Sequence, residues 1–174
     1  MRAILFILDT LITLYTAVLL LRLLMQLTRA DFRNPLARAI VQLTNPVVLP
    51  LRRVLPAAGK LDTASVVAVV LCTVIKLWIL SLLAGAQPDA GMLLRWTLVD
   101  LARLILQTYL VCIFANAILS FIAPGNYSPA QSLLTSICDP VLNPFRRIIP
   151  PLAGLDLSPL WAIIAIQALL MLLP

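Results

Sequence analysis

The chain has 174 residues, a formal net charge of +6, and a composition that is 62% hydrophobic and only 11% charged. Soluble domains run nearer half apolar and a quarter charged, so a soluble helical bundle is disfavoured and an all-α membrane protein expected. There is no His, and all acidic residues are Asp. Histidine-based catalysis and histidine haem ligation are thereby excluded.

The first apolar stretch covers residues 3–28, interrupted by Asp9. A cleaved signal peptide is disfavoured because the run is long and no small-residue cleavage site follows. Asn34-Pro35 then starts a short amphipathic helix: Asn suits the N-cap, and Pro suits the first helical position because it has no N–H to satisfy. Leu36, Ile40 and Leu43 recur on one face, as in a helix lying in the membrane interface. Asn45-Pro46 is expected to end it, since a residue before proline avoids helical geometry. The next segment, "NPVVLPLRRVLPAAGKLD", places Pro46, Pro50 and Pro56 around Arg52 and Arg53 and ends at Asp62. Interior prolines remove hydrogen-bond donors and clash with the preceding turn, so a stiff, non-helical path at headgroup level is expected.

Residues 64–86 form a second apolar stretch with Lys76 near its middle, and 97–122 a third with Asp100 and Arg103. Ser128-Pro129 repeats the helix-start signal, followed by Leu133, Leu134 and Ile137 on one face, with Asp139-Pro140 as the expected stop. A second cassette, "DPVLNPFRRIIPPLAGLD", carries Pro140, Pro144, Pro150, Arg146 and Arg147 and ends at Asp156. Residues 157–174 form the fourth stretch, with Ser158-Pro159 as its cap. A span needs about 20 mostly apolar residues, so this last one crosses only with little tilt.

At an offset of 94 the two cassettes align without a gap and share eight of 18 residues. The same offset pairs Tyr15 with Tyr109 and Asn34-Pro35 with Ser128-Pro129. The sequence therefore reads as two copies, 1–90 and 91–174, each a transmembrane helix, an interfacial amphipathic helix, a Pro/Arg cassette and a transmembrane helix. Two spans per copy make the repeats parallel, with four spans in total. The loops 29–63 and 123–157 then share a face carrying eight basic residues. The opposite face has Arg2 and Arg95, with Arg103 deeper in the span, so the cassettes are expected at the cytoplasm and both termini outside.

Arg52, Arg53, Arg146 and Arg147 have two readings. One is a topological anchor whose guanidinium groups snorkel to phosphates. The other is a binding site for anionic lipid headgroups or an acidic partner. Lys76 in mid-span costs about 3 kcal/mol on insertion scales unless it is partnered. Asp9, Asp100 and Arg103 are the expected members of a polar cluster around it, either a structural ion network or part of an ion path. Arg22 is expected to snorkel or pair across the repeat, and Gln107 and Gln167 to bond between helices. Trp78, Trp96 and Tyr109 read as interface anchors.

Cys72, Cys112 and Cys138 have neither metal-ligand nor redox spacing. Neither a catalytic motif nor a nucleotide-binding fingerprint appears, so no enzyme activity, cofactor, metal or direct nucleic-acid binding is expected. Asn126-Tyr127-Ser128 fits a glycosylation sequon only weakly because Pro129 follows.

The strings "NPVVLPLRRVLP" and "DPVLNPFRRIIPPLAGLDLSPL" resemble the YggT family of small bacterial membrane proteins, over essentially the whole chain. The first copy departs from the pattern at Ala57 and at Thr63-Ala64-Ser65. The resemblance implies a multi-pass inner-membrane protein without established enzymatic activity. It implies links to osmotic or ion homeostasis and, in plastid relatives, to assembly of membrane complexes. The leading expectation is a scaffold that organises lipid headgroups or a protein complex, alone or as a homo-oligomer. The alternative is a small oligomeric channel or transporter subunit using Lys76 and the intramembrane aspartates.

Overall fold

The computed structural model describes residues 2–55, 62–122, 128–148 and 156–174. Pro56, Lys60, Pro150 and the Asn126 sequon lie outside the described residues. Within them the chain forms six α-helices and no strand: α1 Arg2–Leu27, α2 Pro35–Val54, α3 Thr63–Leu83, α4 Ala90–Ile122, α5 Pro129–Ile148 and α6 Ser158–Leu172. Three of them, α1, α3 and α4, are long and apolar enough to cross a bilayer. Helix α6 has 15 residues. At 1.5 Å per residue that is about 22 Å, short of a hydrocarbon core of about 30 Å. The expected 18-residue fourth stretch is therefore not helical throughout.

The chain packs as two compact units, residues 1–23 with 40–105, and residues 24–39 with 106–174. Inside the first unit Leu19, Leu20, Val48, Ala64, Ala68 and Val69 are buried. Ala64 and Ala68 stand one turn apart, and small residues at that spacing let helix backbones approach closely. Inside the second unit Met25, Ile113, Leu133, Ile137, Cys138 and Leu142 form the core. Large apolar side chains such as Phe6, Phe121 and Met171 point outward while Thr16, Arg22, Thr73 and Lys76 are buried. That inversion suits lipid as the surrounding solvent. The buried threonines satisfy their hydroxyls on their own helix: Thr16 donates to Ile12 O at 2.7 Å and Thr73 to Val69 O at 2.9 Å.

The expectation of a non-helical cassette is corrected. Helix α2 runs straight through Asn45-Pro46 and Pro50, and α5 through Asp139-Pro140 and Pro144. Neither amphipathic helix stops at its first proline. All four prolines are exposed. Their spacing of four residues puts both members of a pair on neighbouring positions of one face, so the carbonyls they leave unbonded lie toward that exposed side. In α2 the opposite face carries Ala37, Thr44 and Val48, all completely buried. Packing of that seam offsets an interior-proline penalty of about 3 kcal/mol each.

Helix starts follow the sequence more closely. Asn34 Oδ1 accepts the Leu36 N–H at 2.9 Å, and Ser128 Oγ accepts the Gln131 N–H at 3.1 Å. Helix α3 ends in a turn in which Gly85 takes φ +78°, a conformation open to glycine without strain. Helix α1 ends in a similar turn, but its left-handed position is filled by Arg29 at φ 54°.

Candidate functional site

Arg52 stands in the last turn of α2, and Asp62 is the residue before α3. Arg52 Nε lies 3.3 and 3.2 Å from the two Asp62 oxygens, and its Nη2 donates a further short bond to Oδ2. Ser65 Oγ donates to the same carboxylate at 2.7 Å. Asp62 occupies the N-cap position, yet its side chain makes no capping bond because Arg52 and Ser65 engage it. The Asp62 side chain is 4% exposed and that of Arg52 44%. Burial works to raise the Asp62 pKa. Hydrogen bonds from Arg52 and Ser65, with the charges of Arg52 and Arg22, outweigh it and hold the carboxyl below its ordinary value.

The second copy builds the same latch at the same ten-residue spacing. Arg146 Nε donates to Asp156 Oδ2 at 2.9 Å. Its Nη1 donates to Asp139 Oδ1 at 2.8 Å and to Asn143 Oδ1 at 3.3 Å. Asp156 Oδ1 accepts the Ser158 N–H at 2.9 Å and the Ser158 hydroxyl. Ser158, expected as the cap of the last helix, is instead its first residue, and Asp156 serves its N–H. Burial pushes the Asp156 pKa up, but the Ser158 bonds and then Arg146 pull it below normal. Burial alone would lower the Arg146 pKa; Asp139 and Asp156 raise it. This latch is open to solvent, with Asp139 38% and Asp156 44% exposed.

The paired arginines thus separate. Arg52 and Arg146 are held by carboxylates. Arg53 and Arg147 are exposed, and among the described residues neither joins an ion pair.

Arg22 does not snorkel. It is 4% exposed, and its Nη1 donates to Thr44 Oγ1 at 2.8 Å and to Asn45 Oδ1 at 3.0 Å. This fastens α1 to α2; of the two expectations for Arg22 it favours pairing, with partners the sequence does not name. Its counterpart Asn116 accepts a bond from Thr135 at 3.2 Å. Trp78 and Trp96 are exposed and Tyr109 is partly buried; Gln107 and Gln167 are exposed.

Inside the first unit Lys76 is buried and lies between two acids. Its Nζ is 2.7 Å from Asp100 Oδ2 and 3.5 Å from Asp9 Oδ1, and it donates to Thr13 Oγ1 at 3.1 Å. Thr13 carried no advance signal beyond its place one turn after Asp9. Arg103, three residues beyond Asp100 on α4, is partly buried and engaged in an interaction of its own. A groove of about 280 Å³ opens beside the cluster, lined by Leu5, Phe6, Asp9 and Leu80. Among the described residues no group of His, Cys or acidic side chains is arranged to hold a metal. Cys138 is buried in α5, and that burial, reinforced by Cys112 and Asp139, pushes its thiol pKa up to about 12.

Two segments of the chain, 1–83 and 95–174, match the family model CCB3/YggT. The chain belongs to the CCB3/YggT family. It is 40% identical over 172 residues to an uncharacterized protein of Pseudomonas aeruginosa, covering 98% of this chain and 87% of that one. It is 39% identical over 163 residues to the uncharacterized protein YggT of Escherichia coli K12, covering 92% and 83%. A shorter likeness, 57% identity over 35 residues, covers 20% of this chain and 14% of the chloroplastic YlmG homolog protein 2 of Arabidopsis thaliana. No solved structure matches. Family membership and the three apolar helices together make this an integral membrane protein.

Proposed function

We propose that this CCB3/YggT protein is a non-enzymatic scaffold or homeostasis factor of the bacterial inner membrane, serving osmotic or envelope balance. Its duplicated cassettes face the cytoplasm and give the protein its hold on anionic lipid headgroups, whether shared equally or carried by one copy. The observation that carries the reading is the latch built twice. Arg52–Asp62 and Arg146–Asp156 each fasten the end of an amphipathic helix to the next apolar helix and leave an exposed arginine beside it. Generic positive-inside anchoring requires basic residues but no such repeated geometry. In this reading α6 and its flanking residues complete a fourth span, the two copies are parallel, and both termini lie outside.

Purification of the full chain in mild detergent, with analysis of the retained lipids and proteins, tests it. Enrichment of anionic over zwitterionic lipid, lost when all four cassette arginines become Gln, is the expected result. Lipid matching the bulk membrane, unchanged in that variant, counts against it. A stoichiometric co-purifying protein without lipid enrichment would move the role to a protein partner.

A second reading rests on Lys76, Asp9 and Asp100 beside the groove at Asp9. In it an oligomer of the chain conducts an ion. Four helices are few for a pore, so the reading needs several copies. Ion flux in liposomes that disappears on Asp100→Asn would favour it over the scaffold.

A further inference from the structure

The two cassettes have the same latch but not the same charge. Five matched positions define each neighbourhood. In the first copy they are Arg22, Asn45, Arg52, Arg53 and Asp62: three cations against one carboxylate. In the second they are Asn116, Asp139, Arg146, Arg147 and Asp156: two cations against two carboxylates. Arg22 donates to Asn45 of this same set at 3.0 Å, so its charge belongs to the first neighbourhood although its side chain is buried. Asp139 contacts Arg146 directly, so the second neighbourhood is internally neutralised.

From this asymmetry we infer that the first cassette is the anion-binding copy, with Arg53 as the contacting residue, and that the second is a neutral clamp. The inference rests on the lipid reading above and sharpens it. Arg53 is exposed and free of ion pairs among the described residues, while Arg52 already holds Asp62. Its guanidinium fits a phosphate in a two-pronged geometry. The surroundings favour an amphiphile over a free phosphate. Leu49, one turn before Arg53, is 49% exposed, and Leu43 and Val54 share an apolar flank of α2 at 61% and 79% exposure. A headgroup on Arg53 would leave acyl chains lying along that flank. Each basic residue near an anionic lipid surface is worth about 1 kcal/mol, or roughly fivefold in affinity.

Native mass spectrometry of the full chain, titrated with phosphatidylglycerol and with phosphatidylcholine as the neutral control, tests the assignment. The intact protein should bind phosphatidylglycerol preferentially. Arg53→Gln should weaken that binding at least about fivefold, Arg53→Lys should restore part of it, and Arg147→Gln should leave it within about twofold. The double substitution N116R/D139N, which gives the second copy the charges of the first, should add a second phosphatidylglycerol site. Equal losses from Arg53→Gln and Arg147→Gln, or no gain from the double variant, would overturn the asymmetry while leaving the lipid reading intact. No preference for phosphatidylglycerol in the intact protein would sink the lipid reading itself. Displacement by excess inorganic phosphate would reassign the site to the free anion.

Discussion

Arg52 grips the buried carboxylate of Asp62 across ten residues and ties the end of α2 to the start of α3. The same relation between Arg146 and Asp156 is solvent-exposed. The two latches should therefore differ in energy although they match in sequence. Arg52→Gln takes from a buried carboxylate its two-pronged partner, leaving the Ser65 hydroxyl and the charge of Arg22, and should cost about 2–3 kcal/mol. Arg146→Gln exposes acids that water already reaches and should cost under about 1 kcal/mol. Thermal unfolding of each variant in the same detergent gives the order directly.

The latches also set an acid limit. Asp62 and Asp156 have folded pKa values below the ordinary carboxylate value of about 3.9. A depressed pKa contributes stability that is present above the unfolded value and is lost as pH falls through the folded one. Unfolding temperature should thus be insensitive to these groups from neutral pH down to about 5, then fall below about 4. Asp62→Asn should be less stable at neutral pH and should show a shallower acid limb. Unfolding curves from pH 3 to 8 for both proteins check the sign.

Lys76 should behave as the centre of an ion network. Lys76→Met leaves Asp9 and Asp100 without their shared cation and should cost about 2–4 kcal/mol, toward the lower end because Asp9 is half exposed. Adding Asp9→Asn and Asp100→Asn to that variant should recover much of the loss. Failure of the triple variant to recover would show that the three groups are not energetically coupled.

Arg29 holds a left-handed backbone conformation that costs a side-chain-bearing residue about 1 kcal/mol or more. Arg29→Gly should stabilise the protein by roughly that amount. Unfolding temperatures of the two proteins measure it.

Cys138 should be chemically silent in the folded protein, because it is completely buried and its thiol pKa is about 12. A thiol reagent at pH 8 should label it only after denaturation.

Much of the fold was legible because its signals are local. Apolar runs gave α1, α3 and α4, and Asn34-Pro35 and Ser128-Pro129 gave the starts of α2 and α5. The cassette prolines misled for a definite reason. Their helix-breaking cost is a local property, whereas the buried seam of Ala37, Thr44 and Val48 opposing it depends on tertiary packing. The paired arginines were visible as candidates, whereas their division into one latched and one exposed residue required the Asp62 and Asp156 contacts. For Arg22 the sequence leaves snorkelling and pairing open, because its partners, Thr44 and Asn45, lie more than twenty positions away. Lys76 and its acids drew notice by residue type, since charge in a span demands a partner; Thr13 did not, since a threonine there needs none.

The central claim is that the protein holds anionic lipid at its first cassette, and ligand-induced stabilisation measures that most directly. A ligand that binds only the folded state raises the unfolding temperature in proportion to the logarithm of its concentration above Kd. Phosphatidylglycerol added to the detergent-purified full chain should raise it progressively, phosphatidylcholine should not, and Arg53→Gln should remove most of the difference. Equal responses to the two lipids, or a difference unaltered by Arg53→Gln, would contradict the account.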